Sequence, residues 1–135
     1  MNPYRFLIPE TPRAFPAQRW VRITLRTLHL VGIAGLGGGF LYGADASMWK
    51  PYLSLTVYSG ATLVAVELWT TGLWLIQLRG IVVVVKLALI AWMMQAAHLA
   101  MPLFVAVVVI SGVIAHAPAS VRYFSIFHWR RVDNL

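Results

Sequence analysis

Four apolar runs, each about as long as a bilayer's hydrocarbon core is thick, fill most of the 135 residues of this chain. No other feature narrows its fold as far, because a helix needs roughly 20 apolar residues to cross a membrane. The runs cover 20–43, 52–78, 80–100 and 102–121. The expected fold class is all-α, an integral membrane four-helix bundle. The connections, 44–51, Arg79–Gly80 and Met101–Pro102, are short. Short connections make successive helices antiparallel neighbours, so the expected order is up-down-up-down. Hydrophobic residues are 60% of the chain and charged ones 11%, a balance that excludes an ordinary soluble domain.

Charge orients the bundle. Arg5, Arg13, Arg19, Arg22 and Arg26 stand at the start of the first run, Arg79 between the second and third, and Arg122, Arg130 and Arg131 after the fourth. On the opposite side Lys50 is the basic residue. By the positive-inside rule both termini are expected in the cytoplasm, with the protein multi-pass in a bacterial-type inner membrane. The net charge of +7 thus marks topology, and no nucleic-acid partner is expected. Trp20, Trp49, Tyr52, Trp74 and Trp129 are placed for an aromatic belt at the interfaces. No cleavable signal sequence is expected, since the first apolar run starts late and no small-residue cleavage site follows it.

Two flanks complete the plan. Residues 1–19 carry Pro3, Pro9, Pro12 and Pro16 and are expected to be extended. With Tyr4, Phe6, Leu7, Ile8 and Phe15 among them, this tail suits either the membrane surface or docking on a partner. Residues 122–135 form a basic-aromatic cytoplasmic tail, whose stretch Phe124 to Trp129, flanked by Arg122, Arg130 and Arg131, is expected in the inner interface as an amphipathic extension. The chain has no cysteine, which excludes disulfides, thiolate metal sites and a cysteine nucleophile.

Ionisable side chains inside a membrane are costly and need a reason. His29 heads a stripe on the first helix, because Gly32, Gly39 and Gly43 lie within about 80° of its direction at 100° per residue. Gly35-x-x-x-Gly39 and Gly39-x-x-x-Gly43 are small-residue helix-packing patterns. Alternatively, a flat macrocycle lies on the stripe with His29 as axial ligand. His116 repeats the arrangement with Gly112 one turn earlier, at a similar expected depth. Two such imidazoles suit haem b, and one suits a chlorophyll-type pigment. An interfacial histidine, with no cofactor, is the other reading. His98, at the outer end of the third helix, and His128, in the tail, are expected at interfaces.

Lys86 is expected roughly 9 Å into the third helix. It either snorkels to the inner surface or pairs with a haem propionate or a partner's carboxylate. Glu67 is expected near the middle of the second helix, protonated if isolated there. Tyr58, Ser59, Thr62 or a cofactor carbonyl are its candidate partners, and a proton relay its candidate role. Lys86 and Glu67 are the candidate catalytic residues. No phosphate-binding loop, carboxylate pair or His-x-x-x-His spacing occurs, which argues against a self-contained hydrolase.

The segments Thr27-Leu28-His29-Leu30 with Ala34-Gly35-Leu36, Ser59-Gly60-Ala61-Thr62-Leu63, and Val85-Lys86-Leu87-Ala88-Leu89-Ile90 resemble the haem-containing membrane protoporphyrinogen oxidases and the copper-resistance D-type membrane proteins. Gly37-Gly38-Gly39 stands where those oxidases carry tryptophan and arginine. The resemblance implies a haem on His29 and a functional role for Lys86. Three functions follow as expectations. The first is a cytochrome-like protein passing electrons to or from a quinone or larger redox complex. The second is a non-catalytic accessory subunit of a respiratory or photosynthetic membrane complex. The third is an oxidase. The expected partners are the lipid bilayer and either other membrane subunits or further copies of the chain.

Overall fold

The structure is a computed structural model and describes Pro9 and residues 11–132. The expectations for Pro3, Tyr4, Arg5, Phe6, Leu7 and Ile8 fall outside these residues. The chain is mostly helical and has four helical segments long and apolar enough to cross a membrane: Gln18–Leu41, Ala46–Thr70, Leu78–Gln95 and Ala97–His116. Residues Arg13–Thr70 form one compact unit, and Thr71–Leu135 belong to another. Each is a pair of long helices.

In the first unit, α1 (Gln18–Leu41) and α2 (Ala46–Thr70) lie antiparallel, since each step down α1 is matched by an equal step up α2. Gly39 faces Trp49, Gly35 faces Tyr52, Gly32 faces Thr56, His29 faces Ser59 and Arg22 faces Glu67. The turn between them is built by Gly43 at φ +60, a conformation that glycine takes without the penalty a Cβ brings. Ala44 N–H then reaches back to Gly39 O at 2.9 Å and Tyr42 N–H to Gly38 O at 3.0 Å. These bonds satisfy carbonyls that a helix end would leave unpaired. Gly43 therefore ends α1 and is no part of its packing stripe.

The helix boundaries depart from the apolar runs in one consistent way. Polar and proline residues enter helices where hydropathy alone ends them. Arg19, Arg22 and Arg26 lie inside α1, and α2 begins at Ala46 with Pro51 within it. The connection between α1 and α2 is thus shorter than 44–51. α2 also stops at Thr70, well before Leu78, and a 3₁₀ segment Gly72–Ile76 follows. Thr71 caps that segment by accepting Leu73 N–H at 3.3 Å.

In the second unit, α3 (Leu78–Gln95) and α4 (Ala100–His116) are joined by a 3₁₀ turn, Ala97–Leu99. Arg79 and Gly80 are thus in the first turn of α3, and Met101 and Pro102 in the first turn of α4, where a proline's missing N–H costs nothing. Pro118 follows the end of α4, and a single turn, α5 (Ala119–Arg122), precedes a hairpin of β1 (Phe124–Ser125) and β2 (Arg130–Arg131). The basic-aromatic tail is thus folded as a β-hairpin. Gln77 Nε2 donates to Val132 O at 2.7 Å, which fastens the hairpin beside the start of α3. Gln77, Leu73, Trp74, Ser125 and Val132 are all buried. Trp74 is therefore a core residue and not part of an aromatic belt.

Candidate functional site

The seam between α1 and α2 holds most of the residues singled out in the first unit. A Cβ on Gly32 would strike Thr56 Oγ1, with Thr56 N at 2.8 Å and Tyr52 O at 3.0 Å. One on Gly39 would meet Trp49 Cβ at 2.6 Å, and one on Gly35 the Tyr52 ring. The glycines thus let the backbone and two aromatic side chains of α2 approach α1 closely, which is the packing use of such a stripe. Phe40 extends the contact with a tilted ring pair to Trp49 at 5.5 Å.

His29 is held in the same seam. Its Nδ1 lies 2.9 Å from Thr56 O and 3.2 Å from Ser59 Oγ. A carbonyl only accepts, so Nδ1 carries the proton and the lone pair is on Nε2. Ser59 spends its own proton on Leu55 O at 2.5 Å, and accepts from the ring. Gly60 makes room for the imidazole, since a Cβ there would stand 2.9 Å from His29 Cε1.

A haem stacked on the stripe below His29 needs the surface of Gly32 and Gly39 open, and α2 covers it. Those glycines do not fit the group. The tautomer of His29 does suit a ligand, since ligating histidines commonly anchor the other nitrogen on a carbonyl. The same hydrogen bond equally serves to lock two helices.

Near Thr70 the chain builds a polar cluster. Thr70 Oγ1 accepts from Gln18 Nε2 at 2.8 Å and Arg22 Nη2 at 3.1 Å, and donates to Val66 O at 2.8 Å. Arg13 N–H donates to Thr70 O at 3.0 Å, and its guanidinium sits over the Trp69 ring at 5.0 Å. This part of the proline-rich tail docks on its own chain.

Glu67 lies one turn before the end of α2 and pairs with Arg22, Nε to Oε1 at 3.2 Å. It is not the isolated mid-membrane carboxyl expected from the sequence. Among its candidate partners, Ser59 and Thr62 bond instead to carbonyls one turn back. The pair was legible in principle, because Arg22 and Glu67 stand at nearly equal distances from the turn at Gly43.

The second unit carries the other candidates. His116, exposed at the end of α4, sets Nδ1 2.8 Å from Gly112 O, so its lone pair is also on Nε2. Nothing lies within 4 Å of a Cβ on Gly112, and this small surface is open. His98 is exposed in the 3₁₀ turn. Lys86 is half-buried on α3 and has no hydrogen bond or ion pair among the described residues. His29 stands in one unit and His116 and Lys86 in the other. Among the described residues no three His, Asp or Glu side chains converge.

The sequence reading passed over one cluster. Three guanidinium groups surround the Tyr123 ring, Arg79 at 4.8 Å, Arg131 at 5.7 Å and Arg122 at 5.8 Å. Their separation along the chain hid this convergence.

The fold and these seams define the class, a multi-pass α-helical membrane protein. No protein-family model matches the chain, and no curated protein or solved structure matches it.

Proposed function

We propose that this protein is a non-catalytic accessory subunit of a larger assembly in the bacterial cytoplasmic membrane, with both termini inside. Respiratory and photosynthetic complexes are the first places to seek it. Lys86 carries this reading. An ammonium within a membrane-length helix is expensive, and this one has no partner among the described residues. A carboxylate on a neighbouring subunit supplies one. The filled seam supports the same view, since His29, Gly32 and Gly39 are spent on joining α1 to α2. α4 contributes further surface, because none of its residues is buried by the chain itself.

The orientation rests on charge. Arg19, Arg22 and Arg26 stand toward the start of α1, Arg79 at the start of α3 and Arg122 beyond α4, while Lys50 lies at the other end of the α1–α2 pair. Native electrophoresis of membranes that express a tagged chain tests the subunit reading. The wild type is expected in a high-mass band, Lys86→Gln in a weakened one and Lys86→Glu free of it. Equal migration of all three removes Lys86 from the argument.

One observation favours a second reading, a small haem b protein exchanging electrons with a quinone or a larger redox complex. The lone pair of His116 stands beside the open surface of Gly112. His116 would hold the iron there, and the haem would supply one-electron chemistry tuned by burial and axial ligation. A chlorophyll-type pigment needs the same single imidazole. Oxidised and reduced absorption spectra of the purified protein, with a pyridine extract, separate the readings. A porphyrin band lost in His116→Ala and kept in His29→Ala establishes the second reading. A colourless purified protein leaves the accessory subunit.

A further inference from the structure

One side of α1 carries a feature that its packing on α2 does not use. Gln18, Arg19, Arg22, Ile23 and Arg26 line an open hollow of about 470 Å³. Two of the lining side chains are already committed. Gln18 Nε2 and Arg22 Nη2 donate to Thr70 Oγ1, and Arg22 Nε meets Glu67. Arg19 and Arg26 are exposed, and neither has a hydrogen bond or ion pair among the described residues. Within Arg13–Thr70 the acidic side chains are Asp45 and Glu67. Asp45 stands at the far turn, and Glu67 is at Arg22. Like charges gathered in one hollow repel unless an anion lies between them.

The course of α1 makes this hollow amphiphilic. Arg26 is seven residues past Arg19, roughly 10 Å further along the helix. A guanidinium left at that depth would sit in hydrocarbon. Helical side chains lean toward the N-terminus, and Arg26 lines the same hollow as Arg19, so its head turns back toward the helix start. At 100° per residue, Arg19, Ile23, Arg26 and Leu30 fall within about 60° of one another. Ile23 and Leu30 are exposed by 43% and 65%. Two guanidinium groups thus stand at the end of a membrane-length helix, with an apolar track running from them toward its middle.

We propose that the hollow binds an anionic phospholipid, with Arg19 and Arg26 on the phosphate and an acyl chain along Ile23 and Leu30. Guanidinium forks pair with phosphate oxygens bidentately, and each cation near the bilayer surface adds attraction for an anionic headgroup. Arg22, held by Glu67 and Thr70, fixes the wall between them. A free phosphate would use the same two arginines and leave the apolar track idle.

The test is native mass spectrometry of the full-length protein in neutral detergent with equal phosphatidylglycerol and phosphatidylcholine. The wild type is expected to retain phosphatidylglycerol preferentially. Arg19→Gln with Arg26→Gln should cut that preference roughly tenfold or more. Its melting temperature should stay close to that of the wild type, because neither side chain holds the fold. Leu30→Ser should also lower retention. Arg130→Gln with Arg131→Gln, which removes equal charge from the C-terminal hairpin, should leave the preference intact. No preference in the wild type, an unchanged one in the α1 double variant, or an equal loss in the hairpin variant overturns the proposal. Displacement of the lipid by millimolar inorganic phosphate, with Leu30→Ser neutral, overturns it in favour of a free-anion site. Glu10→Gln should leave retention unchanged. A gain there as large as the double variant's loss would give the hollow to the chain's own carboxylate and overturn the proposal too.

Discussion

Gly32 and Gly38 stand less than two turns apart on α1 and meet opposite surroundings. A Cβ on Gly32 runs into the backbone of α2, whereas nothing lies within 4 Å of one on Gly38. Backbone cannot swing aside as a side chain can, so Gly32→Ala is expected to destabilise by about 1–3 kcal/mol. Gly38→Ala should stabilise by about 0.5–1 kcal/mol, because alanine loses less conformational freedom in a helix. Thermal unfolding in detergent, followed by circular dichroism, checks both signs. The sequence showed a run of glycines but not which of them touch, because periodicity specifies a direction and leaves the neighbour unnamed. His29 teaches the same lesson. Its place at the head of the stripe was legible, yet the carbonyl and hydroxyl that hold it come from α2, 27 and 30 residues away.

At the scale of the element, the α1–α2 pair is closed at one end by the turn around Gly43 and at the other by Arg22, Glu67, Gln18 and Thr70. The Arg22 and Glu67 side chains are 28% and 13% exposed, so removing one partner leaves a largely desolvated charge. Glu67→Gln alone is expected to cost about 1–3 kcal/mol. Arg22→Gln with Glu67→Gln should recover part of that loss, since the stranded charge is gone. A double-mutant cycle in detergent measures the difference, and strict additivity would show that the two groups act independently. Helix ends were the elements least legible beforehand. Hydropathy tracks burial in lipid, whereas an end is decided by caps, prolines and the first turns, which tolerate polar residues. That is why α2 slid toward Ala46, and why Glu67 moved from mid-helix to a helix end with it.

For the whole molecule, the cysteine-free sequence makes topology directly measurable. Lys50→Cys should react with an impermeant maleimide added to intact cells, and Arg130→Cys only after the inner membrane is opened. The reverse pattern would invert the protein. The sequence by itself determined the solvent, the number of membrane-length helices and the residues that carry charge within them, because a bilayer imposes length and apolarity locally. Only the tertiary structure decided what those residues meet. It closed the glycine stripe with Tyr52 and Trp49, paired Glu67 with Arg22, folded the aromatic tail into a hairpin, and gathered Arg79, Arg122 and Arg131 around Tyr123. Each of these depends on contacts between distant segments. No local pattern of hydropathy encodes them.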